Sequence, residues 1–101
     1  MPTSTHSLRF PHPGEILQSE FLEPMGVTQY RLATDLKIPH SRVTAIIRGR
    51  RAITPDTALR LSRYFGTSAE FWIGLQKEFD LRKARAESGA AIESQVMPLS
   101  A

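Results

Sequence analysis

Apolar residues recur along this chain at three- and four-residue intervals, and no stretch alternates with period two, a pattern that predicts helices and no sheet. A first helix is expected from Pro13, a preset first-turn residue, with Glu15 at its positive end and Ile16, Leu17 and Phe21 on its buried side; Pro24 and Gly26 stop it. Thr28 is placed to cap a second helix, where Leu32, Ala33 and Leu36 form one stripe until Pro39 breaks the period. The third runs from about His40 to Arg48 with Val43, Ile46 and Ile47 inward, and Gly49 suits the left-handed residue that ends it. Thr54, Pro55 and Asp56 are a start signal for a fourth, carrying Ala58, Leu61 and Phe65 and closed by Gly66. Thr67 and Glu70 have the spacing of a capping box for a fifth, which is expected to bury Phe71, Trp72, Leu75 and Phe79.

Both ends lose the period. Residues 1–12 are rich in Ser, Thr and Pro and are expected to form a flexible arm that settles near His12, while from Arg82 the stripe fades into a flexible tail, 82–101. The expected architecture is all-α: five helices around one core over residues 13–81.

The second and third helices carry a more specific pattern. With Gln29 as the first of twenty positions, Leu32, Leu36, Ile38, Val43 and Ile46 fill the apolar fourth, eighth, tenth, fifteenth and eighteenth, and Ala33 is the small fifth where the next helix crosses closely. This is the spacing of a helix-turn-helix from Thr28 to Gly49. The ninth position, where glycine normally allows a positive φ, is Lys37, at a cost on the order of 1 kcal/mol. The face of the third helix opposite Val43 and Ile46 is His40, Ser41, Thr44 and Ala45; in this motif such a face enters the major groove. Arg42, on the flank, is placed to reach guanine or a phosphate. Gln29 lies in the first turn of the second helix, where free amides favour a phosphate.

Charge supports the same face. Between Leu36 and Pro55 stand Lys37, Arg42, Arg48, Arg50 and Arg51 and no Asp or Glu, a local charge of +5 within a chain of +3, so the remainder is formally −2. Arg48, Arg50 and Arg51 are candidates to grip the DNA backbone, since a planar, permanently charged guanidinium suits phosphate. At 101 residues the chain has room for one small domain, and without cysteine it has neither disulfides nor thiolate ligands. The three histidines, His6, His12 and His40, lack metal-ligand spacing, and neither a hydrolase elbow nor a glycine-rich phosphate loop occurs, so no metal, cofactor or catalytic residue is expected. His12 with Glu15 reads as a helix-start pair and not as an acid and base. No apolar run approaches the roughly 20 residues that span a bilayer, and the expectation is a cytoplasmic protein.

The runs HPGEILQSEFLEPMG, QYRLA, IPHSRVTAIIRGRRAIT and DTALRLSRYFGTSAEFWIGLQ together resemble the HigA antitoxins, a branch of the phage-repressor-like (XRE/Cro) helix-turn-helix proteins, over about residues 12–81. The resemblance implies a lambda-repressor-like fold and a bacterial, non-enzymatic antitoxin of a type II toxin-antitoxin system. Such a protein binds operator DNA as a homodimer, represses its own operon, and neutralises a HigB/RelE-like mRNA endonuclease toxin. Carried over by position, Gln29 matches the phosphate-binding residue, His40, Ser41 and Thr44 the groove-facing residues, and Arg42 a flanking contact. A stand-alone regulator without a toxin, or an interaction module that has lost DNA, would differ in having no toxic neighbour or no need of the acid-free strip. Glu15, Glu20 and Glu23 are candidates to meet a basic toxin. Phe71, Trp72 and Phe79 are candidates for either core or dimer seam.

Overall fold

The computed structural model describes residues 10–100, and the first nine residues of the expected arm, His6 among them, lie outside that range. Five helices follow one another without a strand among the described residues. Helix α1 spans residues 13–25 as three continuous pieces: α-helical Pro13–Ile16, π-helical Leu17–Leu22 and α-helical Glu23–Met25. Then come α2 (Gln29–Leu36), α3 (His40–Ile47), α4 (Pro55–Phe65) and α5 (Ala69–Gln95).

The local signals explain most of these boundaries. Thr28 accepts from the Arg31 amide at the start of α2, and Thr54 does the same for Thr57 at the start of α4. Lys37 ends α2 in the left-handed region at φ 63°, so the tight turn forms there without glycine. At the end of α3, Gly49 takes φ 75° while the Arg50 amide reaches back 2.8 Å to the Ala45 carbonyl, closing the last turn in a Schellman arrangement.

Four expectations are corrected. His12, placed by the period at the end of the arm, is instead 7% exposed and packed into the fold, where with Glu15 it forms the expected helix-start pair: its Nδ1 accepts from the Gly14 amide at 2.9 Å, while Glu15 accepts from the His12 amide. Pro24 does not stop α1 but lies within it, following the widened π turn that relieves the usual clash of a proline ring with the carbonyl four residues back. The cap of α5 is Ser68, which accepts from Phe71, and the Thr67 hydroxyl instead accepts from the Trp72 indole at 2.7 Å, satisfying a buried N–H. Finally, α5 does not fray at Arg82 but continues to Gln95, about 40 Å in all. Its second half is rich in good helix formers and carries ion pairs one turn apart, Arg82 with Glu78 and Lys83 with Glu87.

One core holds the helices together, built from Leu17 and Leu22 of α1, Leu32, Ala33 and Leu36 of α2, Val43 and Ile46 of α3, Ala58 and Leu61 of α4, and Trp72 of α5. Trp72 is fully buried, with Phe21 and Phe71 each 4.9 Å away by ring centroid, so it belongs to the core and not to a seam. Phe79 is half-buried under the edge of His12, and of the three aromatics only Phe71 is substantially exposed. The start of α1 lies directly on the end of α3: a side chain on Gly14 would collide with the Ile46 carbonyl, and only glycine permits that approach. Gln76 ties the segment after α3 to α5, accepting from the Ile53 amide and donating to Asp80.

Candidate nucleic-acid interface

The turn between α2 and α3 fixes one helix across the other, and the buried pair Val43 and Ile46 sets which way α3 faces. The opposite side is then open. His40 and Ser41 in its first turn are exposed, and Thr44 and Ala45 are half-buried. Tyr30, exposed on α2, meets the His40 ring edge-on at 5.8 Å, adding an aromatic beside Gln29 that the motif alone did not single out.

The fold brings Gln29 and Thr44 together, a contact that the spacing alone did not single out. The Thr44 hydroxyl donates to Gln29 Oε1 at 3.3 Å, and Gln29 Nε2 donates to Gln18 Oε1 on α1 at the same distance. Gln18 in turn donates to Glu23 at 3.1 Å. Gln18 was not singled out by sequence, because its link to Glu23 spans five residues and depends on the π-helical turn. Each amide in this relay retains one N–H for a ligand.

The arginines divide into two groups. Arg42 is half-buried against the fold, and its Nε is enclosed without a hydrogen-bond partner. Arg48, Arg50 and Arg51 are exposed on the turn after α3, with no ion pair among the described residues. The Gly49 turn that displays them rests against His12, whose ring lies below the glycine. His12 is held neutral more firmly than an ordinary histidine, because burial disfavours its charged form, an effect only partly opposed by the charges of Asp80 and Glu15. Leu36 to Pro55 thus presents a positive edge continuous with the N-terminal half of α3, and the strip holds no carboxylate to repel a polyanion.

Among the described residues there is no group of three side chains able to hold a metal, and no helix is long and apolar enough to cross a membrane.

Comparison with known proteins identifies the two-helix unit and the fold around it. The helix-turn-helix family model matches residues 19–72, which include the whole of α2 and α3. The virulence-associated protein I of Dichelobacter nodosus is 41% identical over 100 residues, covering 99% of this chain and 91% of that protein. A HigA-family addiction module antidote protein from Coxiella burnetii has a structure similar to this one at TM-score 0.84 and 48% identity, covering 90% of this chain and 99% of that one. The antitoxin HigA of Pseudomonas aeruginosa, solved with the higBA promoter, is similar at TM-score 0.87 and 46% identity, covering 91% of this chain and all of that one.

Proposed function

Since the chain belongs to the helix-turn-helix family, in its HigA-type branch, and that family is DNA-binding and non-enzymatic, we propose that it is the antitoxin of a type II toxin-antitoxin pair. It binds operator DNA of its own operon as a homodimer and neutralises a HigB/RelE-like mRNA endonuclease in the bacterial cytoplasm. The observation that carries the DNA half of this reading is the acid-free edge on α3 and its following turn, joined to α2 by the Gln29–Thr44 bond.

Within it, His40, Ser41 and Thr44 meet base edges, Gln29 donates to a phosphate at the start of α2, and Arg42 reaches a phosphate or guanine from the flank. Arg48, Arg50 and Arg51 hold the backbone. Two copies set about 34 Å apart read a palindromic site, because one such helix covers too little sequence for useful specificity. The seam falls on α5. Its outer side forms with the segment before α4 an open apolar groove of about 640 Å³, lined by Ile53, Pro55, Ile73, Leu81 and Ala84. Lys77 and Asp80 stand in the same groove, opposite charges that a two-fold pairing sets against each other.

The toxin half is tested in cells. A short reading frame for a basic protein should sit beside this gene; its expression should arrest growth, and co-expression of this chain should restore it. Arrest that persists with the chain abundantly present, or a neighbour that is harmless, rejects the antitoxin reading and leaves a stand-alone regulator.

A further inference from the structure

The relay from Glu23 through Gln18 and Gln29 to Thr44 has a direction, and that direction is set at the end farthest from the DNA face. An ionised carboxylate only accepts hydrogen bonds. Glu23 therefore draws the amino group of Gln18, at 3.1 Å, which turns the Gln18 carbonyl toward α2. Facing that carbonyl, Gln29 must present its own amino group, at 3.3 Å, leaving its carbonyl oxygen toward α3. The only group Thr44 can offer a carbonyl is its single hydrogen, and it donates at 3.3 Å. What remains free on the Thr44 oxygen is its lone pairs.

The π-helical turn makes this geometry available. Its hydrogen bonds run over five residues, as in the Glu23 amide reaching the Gln18 carbonyl, and they bring the side chains of the same two residues into register on one side of α1. Without the widened turn the carboxylate and the amide would lie on different faces of the helix.

We propose that Glu23 fixes the hydrogen-bond polarity of Thr44, so that its hydroxyl meets the major groove as an acceptor and selects a base presenting an amino group, adenine or cytosine. Glu23 touches no DNA in this scheme; it and Gln18 are positioning residues. The same ordering leaves the second N–H of Gln29 free to donate to a phosphate. The proposal rests on the reading of α3 as the groove-facing helix, and the experiment separates the two.

The full chain is titrated against the promoter duplex of its own gene and against variants of that duplex substituted at each base pair in turn. Four proteins are compared: the wild type, Thr44→Val, which removes the hydroxyl at constant shape, Glu23→Gln, which can donate as well as accept, and Gln18→Met, which cuts the relay. The wild type should favour adenine or cytosine at one position per half-site by about tenfold, and Thr44→Val should lose that preference. Glu23→Gln and Gln18→Met should reduce it to about twofold or turn it toward guanine or thymine, whose major-groove groups at that edge accept. Their affinity for unrelated DNA should stay at the wild-type level. A preference that Thr44→Val abolishes while both relay variants keep it overturns the polarity proposal and leaves α3 as the reading helix. Uniform loss of affinity for every sequence in the relay variants also overturns it. If Thr44→Val alters nothing, the assignment of the groove-facing helix has failed and the proposal falls with it.

Discussion

At the scale of single residues, the structure depends on a few side chains whose backbone role outweighs their chemical character. Lys37 occupies the left-handed position that the motif reserves for glycine, and the long polar side chain simply points to water. His12 is the more consequential case. As a cap it must accept a hydrogen bond at Nδ1, which requires the neutral ring, and burial against Gly49 and Phe79 lowers its pKa below the ordinary 6.5. A base whose folded pKa is depressed contributes stability above its unfolded pKa and loses it as pH falls through the folded value. The wild type should therefore lose stability from about pH 6.5 downward in excess of His12→Asn, which caps without titrating. Denaturant midpoints at pH 7.5 and pH 5 check this: the gap between the two proteins should change in favour of Asn at the lower pH. A constant gap would mean that His12 does not titrate with folding. From sequence, His12 was legible as part of a helix start beside Glu15, but its burial was not, since that depends on α5 and the Gly49 turn closing over it.

At the scale of elements, the apolar period located every helix and failed where something other than a stripe holds one together. Pro24 reads as a terminator, yet the π turn before it absorbs the proline, and no local residue type announces a π turn. The second half of α5 has no buried stripe, so periodicity predicts its loss; intrinsic propensity and one-turn ion pairs keep it helical. Capping was misplaced by one residue at α5, because Thr67 is drawn to the Trp72 indole and leaves the adjacent Ser68 to cap. The groove on α5 yields a prediction at this scale. Leu81 is 44% exposed, so Leu81→Asp should leave the fold intact while placing a second acid beside Asp80 in the proposed seam. By light scattering the wild type should have twice the 11.3 kDa chain mass and the variant the single mass. An unchanged two-copy mass places the seam elsewhere.

At the scale of the whole molecule, the acid-free edge was legible because charge is counted along the chain, and the helix-turn-helix spacing gave its orientation. What sequence did not reveal is how the edge is braced. Gly14 lets α1 lie on the carbonyl of Ile46, Gln76 ties the Ile53 segment to α5, and the relay from Glu23 joins α1 to the face of α3. Apart from the five-residue step between Gln18 and Glu23, these contacts join residues far apart in sequence, and none leaves a periodic trace. They brace α3 and the arginine turn against α1 and α5, as the proposed backbone contacts at fixed phosphate spacing require.

The most direct measurement of that surface is the salt dependence of binding to the promoter duplex, for the wild type and for Arg48→Ala. Each phosphate contact contributes a slope of about 0.9 in the plot of log affinity against log salt, so a two-copy complex should lose about 1.8 on removing Arg48 from both copies. Affinity for all sequences should fall together, with base preference kept. A slope and affinity equal to those of the wild type, or a wild type that binds the promoter no better than unrelated DNA, would contradict the account.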